Sequence, residues 1–344
     1  MLTSVGPAFI IPLLAAMFLG VNMGGSGAAV AFSTAYGARV LRLDLVPGLF
    51  GLCVLAGALL AGSRVADTIG RGIIPSEAMG SGVVTVVLLA IAFSIMLANL
   101  LGVPQSTSQA TVLALVGAGL YLDRLKITFL LTWIIPAWII MPVLAYLLTH
   151  ALGHIIHKPI RNTGGVDFAV LARHPILRWG VIAAACYVAF SIGANNVANA
   201  TGPIASLIQK EIGADDSTSG IAMLLAMVIV APCFAFGGSI FGPRVVKDTG
   251  TEITRFGPLG ASAVSVVTGS LLLSASLLGI PSALAQLNVG AIIGLGSYKE
   301  GHSAVFSRRH VRKILVVWAV SPALAFILGF TLCALGDTIG AFKP

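Results

Sequence analysis

The chain reads as long apolar runs separated by short stretches that are charged or rich in Gly, Ser and Asn. Runs able to cross about 30 Å of hydrocarbon fall at 5–23, 46–63, 82–102, 127–149, 179–192, 219–240, 259–280 and 314–336. Four shorter stretches, 24–38, 105–121, 193–209 and 282–297, are apolar but broken up by Gly, Ser, Thr, Asn and Gln. These are expected to be interrupted or re-entrant helices, because irregular backbone at membrane depth is tolerated only inside protein or beside a water-filled cavity. The pattern predicts an all-α polytopic integral membrane protein, with about eight long spans and four short membrane segments.

The two halves repeat that order. Gly62-Ser63-Arg64-Val65 through Gly70 to Ile73 recurs as Gly242-Pro243-Arg244-Val245 through Gly250 to Ile253. Pro104, Gln109, Gly117 and Gly119 recur as Pro281, Gln286, Gly294 and Gly296, again at one constant offset. Two such halves, each carrying interrupted segments, are the pattern of inverted-repeat secondary transporters, whose substrate sites lie near the bilayer midplane. Residues 1–149 are read as the first repeat, 150–178 as a basic cytoplasmic linker and 179–344 as the second repeat.

Composition sharpens the class. With 57% hydrophobic and 9% charged residues and a mean hydropathy of +1.01, the chain cannot be an ordinary soluble domain. The 40 glycines suit close helix packing and would permit a homodimer, while 7% aromatic content gives no sign of the girdles of an outer-membrane barrel. The net charge of +8 lies mostly between the apolar runs. Lys158, Arg161, Arg173 and Arg178, and the run Arg308 to Lys313, are expected on the cytoplasmic side of an inner membrane. This charge describes topology and not a nucleic-acid partner. The N-terminal stretch has no basic leader or A-x-A site, so it is read as a first span. Cys53, Cys186, Cys233 and Cys333 read as single buried hydrophobes, and the linker histidines as loop residues. No metal, cofactor or catalytic set is expected, and the chain is not read as an enzyme.

The chemistry concentrates in Gly193-Ala194-Asn195-Asn196-Val197-Ala198-Asn199-Ala200, where three carboxamides interrupt an apolar run. A buried amide without a partner costs a few kcal/mol, so such a cluster should line a cavity or bind a ligand. This segment resembles the signature of the inorganic phosphate transporter (PiT) family, usually G-A-N-D-V-A-N-A. The first copy of that signature corresponds to Gly24-Gly25-Ser26-Gly27-Ala28-Ala29-Val30-Ala31. Pro104 to Gln109 and Gly62 to Ile73 resemble two further family segments. Asn22 to Ala29 is also similar to the sulfate permeases that form one branch of the family.

The departures from the family pattern remove charge. The signature Asp is Gly27 in the first copy and Asn196 in the second, and Gln109 and Gln286 stand where many members have His. The resemblance implies an anion clamp made of Gly25, Ser26, Gly27, Asn195, Asn196 and Asn199, completed by Ser106, Thr107, Ser108, Gln109, Ser282 and Gln286. Asn22 and Ser191 are expected to cap the helix breaks. Phosphate at neutral pH still carries a proton that a carboxylate can accept, whereas sulfate offers acceptors only and suits neutral donors and helix N-termini. The expected function is import of sulfate, or a similar tetrahedral oxyanion, by alternating access with proton coupling. A phosphate transporter of the same family and a passive oxyanion channel stand as alternatives. All twelve acidic residues lie outside the apolar cores, and Asp67 and Asp248 are the nearest candidates for a proton carrier.

Overall fold

The computed structural model of the chain describes residues 7–37, 40–100, 105–162, 174–212, 216–242, 257–307, 309–340 and 342. Every regular element among them is helical. The long helices are α1 (Pro7–Gly37), α2 (Val46–Ala61), α3 (Ser81–Leu100), α4 (Thr107–Tyr121), α5 (Ile135–Asn162), α6 (Pro175–Asn196) and α7 (Ala198–Ile212). They continue with α8 (Asp216–Ile240), α9 (Gly257–Leu277), α10 (Leu284–Glu300), the short α11 (His302–Phe306) and α12 (Arg309–Thr338). Seven helical segments among the described residues are long and apolar enough to cross a membrane, and Pro322–Thr338 of α12 is a shorter apolar one. Large apolar side chains such as Leu60, Ile139, Trp179 and Phe236 stay exposed, as a lipid-facing surface requires.

The interrupted segments differ from expectation in an informative way. The described parts of span 5–23 and segment 24–38 form one unbroken helix, α1, through all of Gly24–Gly27. Glycine costs about 1 kcal/mol in a helix interior, but an unpaired peptide group in hydrocarbon costs several, so the helical hydrogen bonds prevail. In the second copy the interruption is a single residue, Val197, which keeps right-handed helical dihedrals and whose carbonyl accepts from both Ala200 N and Thr201 N at 3.1 Å. The helix there is hitched rather than unwound. Segments 105–121 and 282–297 fare as expected: each is a short helix, α4 and α10, entered through non-helical residues and starting inside the protein.

Glycines set the packing. A Cβ on Gly24 would overlap the Phe234 carbonyl oxygen, and one on Gly237 that of Val21, so α1 and α8 touch backbone to backbone. The corresponding residues of the other half make the same contact between α2 and α6, with Gly57 on Phe190 and Gly193 on Val54. Likewise Gly294 of α10 meets Tyr146 of α5, and Gly117 of α4 meets Phe326 of α12. Each half therefore supplies the partner helices of the other, and the two are intertwined rather than set side by side. Of the stretch 150–178, His150 and His154 belong to α5, His174 precedes α6, and residues 163–173 lie outside the described set.

Candidate functional site

The N-termini of α4 and α10 and the hitch at Val197 converge on one buried polar cluster. Ser106 begins α4 in an extended conformation, and its hydroxyl accepts from Gln109 N at 3.3 Å, a normal N-cap. Ala283 precedes α10 and offers no such side chain. Across the gap Gln286 Nε2 donates to Gln109 Oε1 at 3.0 Å, joining the first turns of the two short helices. Two helix N-termini with their positive dipole ends close together favour an anion between them.

Asn195 is the hub. Its Nδ2 donates to Ser276 Oγ at 3.0 Å and to the Ile280 carbonyl at 3.1 Å. Its Oδ1 accepts from Ser282 N at 3.0 Å and more loosely from Ser108 Oγ at 3.4 Å. Ser108 Oγ in turn accepts from Asn199 Nδ2 at 3.2 Å. Four of the sequence-predicted residues, Ser108, Asn195, Asn199 and Ser282, thus share one network, with Gln109 and Gln286 paired beside it. Asn195 is saturated by protein partners and acts as a latch. By contrast, the buried Oδ1 atoms of Asn196 and Asn199 have no partner. Pro203 withholds a further donor from this region, because it lacks the N–H that would bond the Asn199 carbonyl.

Three carbonyls between the end of α9 and the start of α10 accept from side chains of other parts of the chain. Arg64 Nη1 donates to the Leu277 carbonyl at 2.7 Å and Thr68 Oγ1 to that of Gly279, also at 2.7 Å. Trp138 Nε1 donates to the Pro281 carbonyl at 2.9 Å. Gly279 has φ of +72°, the left-handed conformation that ends α9 without a Cβ penalty. Arg64, Thr68, Trp138 and Ser276 were not singled out by sequence. Arg64 and Thr68 could have been, since they lie in the repeated Gly62 to Ile73 segment.

Other expected residues are placed differently. Gly25 and Gly27 are packing positions, against Phe241 and Phe50 respectively. Ser26 Oγ bonds back to the Met23 carbonyl at 3.2 Å, and Thr107 receives at its carbonyl the Thr111 hydroxyl at 3.0 Å. Asn22 and Ser191, expected as caps of helix breaks, lie within continuous stretches of α1 and α6. They donate one turn back, to the Phe18 and Tyr187 carbonyls at 2.9 Å each, because the helix continues past both. Asp67 sits half-exposed in an ion pair with Arg71 at 3.3 Å, and Asp248 lies outside the described residues. Every buried polar side chain among the described residues is Ser, Thr, Asn or Gln. No group of three or more His, Cys, Asp or Glu able to hold a metal ion occurs among them.

A family model described as the phosphate transporter family matches residues 23–172 and 162–329. The chain belongs to this family. It is 33% identical over 326 residues to the sulfate permease CysP of Bacillus subtilis, an alignment covering 94% of this chain and 86% of that one. It is 25% identical to a Helicobacter pylori protein provisionally named a phosphate permease, over 86% of this chain and 69% of the other. The fold is that of a solved sodium-dependent phosphate transporter, with a TM-score of 0.84 at 22% identity, covering 97% of this chain and all of the other. Members of the family are transporters and permeases, not enzymes, and this chain is a multi-pass membrane transporter.

Proposed function

We propose that the chain imports sulfate across the cytoplasmic membrane by alternating access between two inverted repeats, driven by protons. The observation that carries the reading is the charge-free site: Asn195, Asn196, Asn199, Ser106, Thr107, Ser108, Gln109, Ser282 and Gln286 are all buried and all neutral. A carboxylate there would repel a dianion that has no proton to share, whereas amide and hydroxyl donors and two helix N-termini attract it. Likeness to a sulfate permease over most of the chain supports the same reading. Inversion of the repeats is supported by direction. Gly20 of α1 faces Cys233 of α8, and Ala28 faces Gly238 and Gly242, so α1 and α8 run parallel. If the second helix of each half runs back along the first, the first helices of the two halves then point opposite ways. Gly25, Ser26 and Gly27 belong in this account to the wall that carries the site, and not to its innermost polar set.

One observation favours phosphate. The orphaned Asn196 and Asn199 oxygens are acceptors, and hydrogenphosphate, unlike sulfate, brings a proton to donate. Uptake of labelled anion into proteoliposomes separates the readings. An inward acid gradient should accumulate sulfate while a sodium gradient does not. Accumulation of phosphate alone, under either gradient, would overturn the proposal.

A further inference from the structure

The histidines at the end of α5 are not loop residues. His150 and His154 lie one turn apart on α5, and His302 opens α11 from the other half of the chain. The His150 and His302 rings are 5.1 Å apart and those of His150 and His154 5.4 Å apart. Tyr146 stacks on His150 with centroids 6.0 Å apart, and Tyr298 packs against His154 at 4.5 Å. The carbonyl partner fixes the tautomer of His150. His150 Nδ1 lies 3.3 Å from the Gly294 carbonyl, which can only accept, so the proton of the neutral ring is on Nδ1 and Nε2 keeps a free lone pair. The Tyr146 hydroxyl is hydrogen-bonded to His302 Nδ1, a pairing that either tautomer of that ring allows. Lys299 and Glu300, the last residues of α10, are the charged neighbours in sequence.

We propose that this cluster is the proton-binding site of the transporter, with His150 Nε2 as the atom that takes the proton; the proposal rests on the proton-coupled reading above. Imidazole is the side chain suited to binding a proton near neutral pH; His150 is half-buried and His154 and His302 are exposed, whereas the buried polar residues among those described are all Ser, Thr, Asn or Gln. The cation so formed lies beside the C-terminal part of α10, the end whose dipole favours positive charge. A second charge on the cluster would meet a like charge about 5 Å away, which disfavours it. Its link to the anion is α10 itself. Gly294, bonded to His150, is two turns or about 12 Å from Gln286 at the anion end, and α5 and α10 are locked by the close approach of Gly290 to Pro142 and of Gly294 to Tyr146. A positive charge on His150 favours a dianion at Gln286, and the bound dianion favours the proton in return, which is the reciprocity a symporter needs.

His150→Gln and His302→Gln in proteoliposomes test this. Acid-driven sulfate accumulation should fall at least tenfold in His150→Gln, and sulfate/sulfate exchange, which needs no net proton movement, should persist but lose its dependence on pH. Acid-driven accumulation kept in both variants overturns the proposal alone. A wild type that ignores the acid gradient overturns the proton-coupled reading and the proposal with it. Should His150→Gln also lose exchange, the pH dependence of exchange in His302→Gln decides: a flattened profile supports the site, and an unaltered one, or loss of exchange there too, marks the cluster as packing and overturns it.

Discussion

Adjacent asparagines in the cluster should answer truncation in opposite ways. Asn195→Ala removes the side chain that bonds the loop leading into α10 at two points, leaving the Ile280 carbonyl and the Ser282 N–H unpaired in the protein interior. Ser276 keeps its bond to the Leu272 carbonyl, so it adds little to the loss. At roughly 1–3 kcal/mol for each orphaned group, the variant should be destabilised by about 2–6 kcal/mol. That is a large share of a typical folding free energy of about 5–15 kcal/mol. Asn196→Ala instead deletes a buried oxygen that no protein group bonds, so stability measured without added sulfate should be unchanged or higher by about 1 kcal/mol. The assay is thermal unfolding in detergent followed by tryptophan fluorescence, with and without sulfate. Asn195→Ala should melt early with or without the anion, whereas Asn196→Ala should melt like wild type without sulfate and lose the upward shift that sulfate gives. Equal destabilisation by both substitutions would refute the division into a latch residue and a ligand residue.

Three further outcomes follow from the same geometry. Gln286→Glu keeps the shape but sets a carboxylate against Gln109 Oε1 and the anion, so sulfate uptake should fall at least tenfold at pH 8 and recover in part near pH 5 as that group takes up a proton; uptake indifferent to pH would place Gln286 outside the site. Thr68→Val removes the bond to the Gly279 carbonyl at a cost of about 1 kcal/mol and should raise the sulfate KM through the α10 entry loop, visible as a threefold or larger change in uptake kinetics with little loss of expressed protein. Gly57→Val drives a side chain into the Phe190 carbonyl, and since overpacking costs about 1–3 kcal/mol even where neighbours can shift, the yield of folded monodisperse protein should drop sharply; normal yield would mean that α2 and α6 can separate.

What the sequence disclosed and what it withheld divide along contact range. Apolar runs, the short helices after Pro104 and Pro281, and the matching places of Gln109 and Gln286 were legible as patterns along the chain, whereas the hydrogen bond between the two glutamines was not. The continuity of α1 was not, because a Gly-Gly-Ser-Gly run looks like a break until its burial against Phe234, Phe241 and Phe50 is known. Nor were the different fates of Asn195 and Asn196, which have the same chemistry and differ only in what their side chains meet. Arg64 bonds a carbonyl 213 residues away, and His150 faces a ring from the other half of the chain. Such pairings leave no periodic trace in one sequence.

The central claim is that a buried site without ionisable groups selects a fully ionised oxyanion, and competition tests it most directly. Uptake of labelled sulfate into proteoliposomes at neutral pH, titrated with unlabelled phosphate and unlabelled sulfate, gives the ratio of half-inhibitory concentrations. The charge-free site predicts that phosphate competes at least tenfold more weakly than sulfate. Displacement at equal concentration would contradict it.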